Sequence, residues 1–425
     1  MRDDSARRIR LFPVVVIVVL LALLAAAAVS NVRRNPQPRL VADGVPGRQV
    51  PSATSAQVPS ATSAHLPSSH REMVRHALAD LDALTLPNGA TLAGWDGPWR
   101  FVWPRDASFV AAARCSVGQY SEAAAVLSFL DKVRPASSRW GARYSATDGS
   151  IPQDGRAAQL DGSGWVLWAT WFCSSGLDMA KYWPMVRQSG DQIVAELGPD
   201  GLPAASPDYW ERRKPEVTIG TIAPLLSGLR AGLGIAAALG RSSEVPAWAD
   251  ALKRLSTATD REFGPTYPRT STKQFGAASS EAGGALGVEP FGGEVFAGGA
   301  DAIVTVLGPP FAPPRPEVTL AIERSLEVLT QPNGGITPGE QWRADGVAWT
   351  PQTALFALSA AARGDHKTAD SLLTWLDSHR TVSGALPEKV NRDLKPAGEA
   401  PLGWTSALVV LTAAALDRPL PIPAT

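Results

Sequence analysis

The chain has 425 residues, 45% of them hydrophobic, enough for two or three average domains or one large repetitive one. Forty basic residues balance forty acidic ones, so nothing in the charge suggests a nucleic-acid surface. Ala and Leu outweigh Val, Ile and Phe, which favours helices over sheets. The fourteen tryptophans suit a sugar-binding or interface role as well as a large helical core.

Residues 1–10 carry Arg2, Arg7, Arg8 and Arg10, and form a short cytoplasmic N-terminus in this reading. Leu11 to Ser30 then run without a charge, long enough to cross a bilayer, with the basic residues kept inside. Ala28-Val29-Ser30 also offers a cleavage site for a signal peptide. Span length favours the uncleaved, single-pass anchor, which places the rest of the chain outside the cytoplasm; secretion after cleavage is the alternative. Residues 31–69 are rich in Pro, Ser and Ala, and Gln49–Ala56 is repeated as Gln57–Ala64. Such a stretch cannot build a core and reads as a disordered tether. The folded domain is expected over 70–420, opening at Ser69-His70-Arg71-Glu72, which has the form of a capping box.

From there the periodicity predicts twelve helical segments, near 70–86, 106–117, 120–133, 160–175, 177–196, 216–239, 244–263, 300–307, 316–330, 348–363, 366–379 and 404–416. A Gly-rich stretch over 264–299 reads as a long loop or as short strands. The segment Trp95–Asp106, Trp-Asp-Gly-Pro-Trp-Arg-Phe-Val-Trp-Pro-Arg-Asp, puts Trp103 and an Arg105–Asp106 pair at the start of the second helix. Aromatic walls suit the apolar faces of sugar rings, and a carboxylate beside a guanidinium suits their hydroxyls. An aromatic core corner with a helix cap is the alternative.

Acidic motifs recur ahead of every second helix: Asp106, Asp161, Glu211 after Trp210, Glu340 and Glu388. Three of their four intervals are about fifty residues, and the remaining one, Glu211 to Glu340, spans two units and the Gly-rich insertion; such a period is that of a helical hairpin with loops, a signature of repeat architecture. Six hairpins closed into a ring make an inner, parallel set of helices whose N-terminal ends share one rim. The fold expected is therefore all-α. Acids at helix starts also complement the helix dipole, but that does not explain the aromatics beside them.

The five histidines all lie away from these motifs, which argues against a Ser–His or Cys–His nucleophile and against a His-based metal site. No Walker loop or dinucleotide fingerprint is present, so no cofactor and no metal is expected. Carboxylates among aromatics remain, the equipment for splitting a glycosidic bond between a proton donor and a base. Glu211, flanked by Tyr209 and Trp210, suits the donor; Glu388, beside Lys389, suits the base. Cys115 and Cys173 fall near the C-terminal ends of neighbouring inner helices, where a disulfide and two buried thiols are both open.

Val-Trp-Pro-Arg-Asp-Ala-Ser-Phe-Val (102–110), Gln-Leu-Asp-Gly-Ser-Gly-Trp (159–165), Asp-Tyr-Trp-Glu (208–211), Pro-Gly-Glu-Gln-Trp (338–342), and Leu-Pro-Glu-Lys-Val with Pro-Leu-Gly-Trp-Thr-Ser-Ala (386–390, 401–407) come in one order. In these pieces the chain from about 85 to 416 resembles glycoside hydrolase family 15, the glucoamylase-like family. The resemblance implies an (α/α)6 barrel and inverting, exo-acting hydrolysis of α-glucosidic bonds in oligo- or polysaccharides. Glu211 then matches the general acid and Glu388 the general base. Arg105 and Asp106 match the pair that holds the terminal sugar. Trp103, Asp161, Trp210 and Glu340 join the substrate side. Glu340 competes for the base role, but the distance to the following tryptophan favours Glu388. Arg212 and Ile336 depart from the family's pattern, as does the lack of a tryptophan before the Asp161 motif. A non-catalytic sugar-binding barrel and a phosphorolytic enzyme on a related barrel are the alternative functions.

Overall fold

The structure, a computed structural model, describes residues 68–212, 215–271 and 298–424. The expected anchor and most of the tether lie outside the described residues, as does most of the Gly-rich stretch. Eleven α-helices are described: α1 (Ser68–Leu84), α2 (Pro104–Ser116), α3 (Tyr120–Val133), α4 (Asp161–Phe172), α5 (Trp183–Glu196), α6 (Ile219–Ala238), α7 (Pro246–Phe263), α8 (Pro316–Leu329), α9 (Thr350–Ala362), α10 (His366–Ser378) and α11 (Gly403–Asp417). A 3-10 segment, Ala302–Leu307, takes the eighth of the twelve helical places. Helix α1 begins one residue ahead of the capping-box serine.

The arrangement is an (α/α)6 barrel. Each of α2, α4, α6, the 3-10 segment, α9 and α11 packs on the next, and α11 returns to α2. Each also packs on one outer partner: α3, α5, α7, α8, α10 and α1 respectively. Burial separates the two layers. Inner helix α2 is buried along all thirteen residues, so its small and apolar residues need no periodicity. Outer helix α7 buries Trp248, Ala251, Leu252, Leu255, Ala258, Thr259 and Phe263, a stripe at helical spacing that faces inward. Prolines in the first turn open α2, α5, α7, α8 and α9, where the missing N–H costs nothing. Helix α6 is long and apolar enough to cross a membrane by length and composition, but 89% of that window is buried inside the barrel.

The barrel's centre is filled. Phe109 of α2 meets Trp165 and Trp168 of α4 at 5.2 Å each, Trp404 of α11 at 5.8 Å and Phe311 at 5.9 Å. Helices α4 and α6 approach closely because Gly164 has no Cβ; one placed there would lie 2.2 Å from the Pro224 carbonyl oxygen. At the opposite end from the acidic motifs, Cys115 and Cys173 form a disulfide with a Cα–Cα distance of 5.4 Å. This bond ties the C-terminal ends of α2 and α4 together.

Two small sheets stand where chain enters the inner helices. Strand β1 (Phe101–Val102) pairs antiparallel with β2 (Tyr144–Ser145), fastening the 134–158 loop beside the entry to α2. Strands β3 (Ala348–Trp349), β4 (Lys389–Val390) and β5 (Pro396–Ala397) form a sheet in that order. It joins the entries to α9 and α11. The expected all-α rim is thus stitched by strands too short to carry a period-2 pattern.

Candidate functional site

A cavity of about 250 Å³ opens at this rim. Trp103, Arg105, Asp106, Trp210, Glu211 and Glu388 all line it, so six of the eight residues singled out in the sequence come together. Trp99, Arg156, Trp342, Trp349, Gln352 and Trp404 complete most of the wall. Trp99 belongs to the aromatic stretch, and Trp404 to the last motif. Arg156 sits in the 134–158 loop, where nothing in the sequence marks it. Gln352 lies in the first turn of α9 with no acidic motif beside it.

Arg105 and Asp106 occupy the first turn of α2. Arg105 Nη2 lies 2.9 Å from Asp106 Oδ2, and its guanidinium covers the Trp404 ring at 4.5 Å. Burial pushes the Asp106 carboxyl up, against the pull of Arg105. Among the described residues, Arg105 Nε and Nη1, the indole N–H groups of Trp342 and Trp404, and Gln352 Oε1 are buried without a hydrogen-bond partner. All belong to residues that line this one cavity. Buried polar atoms are normally satisfied, so their concentration here marks a place for a hydroxyl-rich ligand or for water.

Glu211 sits at the end of a tight turn. Its φ is 55°, a region that costs a non-glycine residue about 1–3 kcal/mol. The turn is fixed from below. Glu211 N–H donates to the Asp208 carbonyl at 2.7 Å, and Asp208 Oδ1 accepts the Trp210 N–H at 2.9 Å. Asp208 Oδ2 accepts from Thr218 Oγ1 and from Arg269 Nη2, each at 2.6 Å. Arg269 donates also to Asp301 Oδ2 at 2.5 Å and lies 3.5 Å over the Trp210 ring. Asp301 in turn caps the 3-10 segment through the Ile303 N–H at 2.9 Å. This buried Asp–Arg–Asp bridge locks the Glu211 turn to the next two hairpins. The Glu211 carboxylate accepts from Trp103 Nε1 and pairs with Arg156. Arg212 stacks on Trp342 at 4.6 Å; residues 213 and 214 lie outside the described residues.

Glu388 is buried at 7% exposure, immediately ahead of β4. Its N–H donates to the Glu399 carbonyl at 2.6 Å, and its carbonyl accepts the Thr350 N–H at 3.1 Å. Lys389 Nζ stands 3.1 Å from Oε2. Gly398 lies against the carboxylate with φ 77°; a Cβ there would be 2.4 Å from Oε2. Glu399 folds back under the site, where its Oε1 accepts the Trp95 and Asp96 N–H groups at 2.6 and 2.9 Å. Burial pushes the Glu399 carboxyl up to about 7, against those two hydrogen bonds and with help from Asp96 and Glu388.

Asp161 and Glu340 stand outside the cavity wall. Asp161 opens α4 at 1% exposure, and its Oδ2 accepts the Trp165 indole N–H at 3.2 Å. Burial raises its carboxyl to about 7, partly offset by Arg105 and reinforced by Asp208. Glu340 is exposed. It accepts the Ala300 N–H at 2.9 Å and so holds the chain where it returns from the Gly-rich stretch.

No protein-family model and no curated protein matches the chain. Its fold, however, is that of solved glycoside hydrolases. A glycosidase in complex with glucose superposes with a TM-score of 0.66 at 20% identity, covering 83% of this chain and 99% of that one. Glucoamylase from Saccharomycopsis fibuligera gives a TM-score of 0.62 at 13% identity, covering 82% and 94%. A glycoside hydrolase family 15 glucoamylase from Hypocrea jecorina gives 0.61 at 14% identity, covering 84% and 74%.

Proposed function

We propose that this chain is a glycoside hydrolase that removes α-linked glucosyl units from a non-reducing end with inversion. The observation that carries the reading is that Glu211 and Glu388 line one aromatic-walled cavity, together with the Arg105–Asp106 pair. The likeness in fold to a glycosidase in complex with glucose supports a sugar of that size.

In the proposed reaction Glu211 gives a proton to the glycosidic oxygen as the bond from the anomeric carbon breaks. A water attacks the opposite face, and Glu388 takes its proton. Charge develops on the ring oxygen and anomeric carbon between two carboxyl groups, a placement that stabilises an oxocarbenium-like transition state. Arg105 Nε and Nη1 offer unused donors to the sugar hydroxyls, and the tryptophans pack its faces. Trp103 fixes the Glu211 carboxyl through its indole N–H. The enzyme needs no cofactor in this scheme. The N-terminal apolar run is proposed to anchor it with the barrel outside the cytoplasm, where a disulfide persists.

The test is a screen of maltose, isomaltose, trehalose and kojibiose with the released anomer followed by NMR. Inversion predicts β-glucose as the first product. Release of the glucosyl unit whose anomeric bond is cleaved as α-glucose, over and above the α-anomer that the leaving glucose carries from the substrate, would overturn the inverting assignment, and a product appearing only with phosphate would mark a phosphorolytic enzyme.

A further inference from the structure

A second cavity, of about 390 Å³, lies behind the first. The two share a wall made of Glu211 and Arg156. Beyond that wall the second cavity is lined by Asp154 and Gln159 with small residues and proline; no aromatic side chain is among its described lining. It is therefore poorly suited to stacking on a sugar face. If the cleaved sugar occupies the aromatic-walled cavity, the second cavity, which shares the proton donor Glu211, is assigned to the leaving group.

The charges here are paired unequally. Arg143 donates to Asp154 through Nε at 2.9 Å and Nη2 at 2.5 Å. It also bonds the Pro98 carbonyl at 2.6 Å and stacks on Phe101 at 4.1 Å. In that pair Arg143 is buried, while the Asp154 side chain is 26% exposed. Arg156 is a third exposed, at 36%. Its guanidinium reaches Asp154 only at 3.5 Å, through Nε, and its main partner is the Glu211 carboxylate. With Glu211 ionised the wall is neutral. With Glu211 protonated, as a proton donor must be, Arg156 keeps a charge whose partner has gone. Asp154 remains only a longer contact, because the Oδ2 that Arg156 Nε approaches at 3.5 Å already accepts both Arg143 bonds. An anion in the second cavity would take up Arg156 and release the Glu211 oxygen toward the glycosidic bond.

We infer that the second cavity takes an anionic leaving group, a hydroxy-acid or phosphate-bearing aglycon, with Arg156 passing from Glu211 to the substrate's own anion. This rests on the hydrolase reading above and names the substrate class of that same site. The proton transfer is unchanged: Glu211 protonates the glycosidic oxygen, and the aglycon departs as an alcohol still carrying its anion.

The experiment compares three α-glucosides that differ in the charge of a short aglycon: glucosylglycerol, glucosylglycerate and glucosylglycerol phosphate. Wild type is expected to show kcat/KM at least about tenfold higher for a charged member than for the neutral one, the scale of one charge-assisted hydrogen bond. Arg156→Gln should bring charged and neutral rates together. Calorimetric binding of the same three compounds to the Glu388→Gln protein gives a readout independent of turnover. There the charged ligands should bind about tenfold tighter or better, and lose that margin when Arg156→Gln is added. The carboxylate and phosphate arms tell which anion is preferred. Equal rates and equal binding for charged and neutral compounds overturn the inference, as does a charge preference that survives Arg156→Gln. If neutral and nitrophenyl glucosides are cleaved with inversion and the charged ones are no better, only this inference falls. If none of these compounds, nor any of the disaccharides, is hydrolysed, the hydrolase reading falls, and the binding comparison still decides the anion site.

Discussion

The two walls of the cavity hold their carboxylates in opposite ways. Glu388 is gripped mainly by backbone: strand β4 begins beside it, its N–H and carbonyl are both bonded, Gly398 is pressed against the carboxylate, and its ion pair is to the adjacent Lys389. Glu211 is gripped by side chains: a left-handed turn stands on the Asp208–Arg269–Asp301 bridge, and Trp103 and Arg156 hold the carboxylate from other loops. Backbone pairing fixes a group with little freedom to respond to a ligand. A charge pair can exchange partners. The difference matches the proposed chemistry, since a base must hold one water in place, while an acid must let a proton go and take it back.

The sharpest way to separate the walls is to remove each carboxylate. Glu388→Gln should cut kcat by about 10³-fold on every substrate, because water needs the base whatever the leaving group. Glu211→Gln should cost as much on disaccharides, but no more than about tenfold on nitrophenyl glucosides, whose oxygen leaves without help from a proton. Steady-state rates on both substrate types check this. Equal losses for Glu211→Gln on both would deny it the acid's role.

The Glu211 wall is also the one that a single buried cation supports. The side chain of Arg269 is 3% exposed, and those of Asp208 and Asp301 are fully buried. Arg269→Met leaves two buried carboxylates unpaired and should destabilise the fold by about 3–5 kcal/mol. The loss is read as a fall in urea midpoint, with a drop in kcat from the loosened Glu211 turn. Wild-type stability in this variant would show that the turn stands without the bridge.

How much of this was legible in the sequence differs between the walls in the same way. All twelve helical places could be read, because outer helices such as α7 carry an apolar stripe and inner ones such as α2 carry a run of small and apolar residues, Ala107 to Ala113, between Pro and Gly. Trp103, Arg105, Asp106, Trp210, Glu211 and Glu388 stood in local motifs at helix entries, and such entries necessarily share a rim once the ring closes. Arg156 and Arg269 could not be read. Each acts across tens of residues of sequence, through a pairing that exists only after loops from different hairpins meet. Asp161 and Glu340 show the converse. They occupy motif positions, yet a rim position does not say whether a side chain faces the cavity, the core, or a neighbouring loop's N–H. Strands β3, β4 and β5, two residues each, left no alternation to detect.

The Glu388 wall carries a pH dependence of its own, through Glu399. This residue is 4% exposed. Its carboxyl ties the Trp95–Asp96 turn to the segment that holds Glu388, and burial raises it from 4.5 to about 7. In the unfolded chain the group ionises near the lower value. Between the two the folded protein therefore binds more protons than the unfolded one, and stability falls as pH rises. The favourable contribution is present in full below about 4.5 and is lost as pH passes about 7. A shift of that size amounts to at most ~3 kcal/mol. Glu399→Gln keeps an oxygen for the two N–H groups and cannot ionise. Its stability by urea unfolding should match wild type near pH 4 and exceed it by up to ~3 kcal/mol at pH 8. A difference independent of pH would mean that Glu399 does not titrate in this window. Activity supplies the second reading: Glu399 ionises a few residues' reach from the base, so Glu399→Gln should also flatten the kcat profile between pH 6 and 8 while leaving the product anomer unchanged.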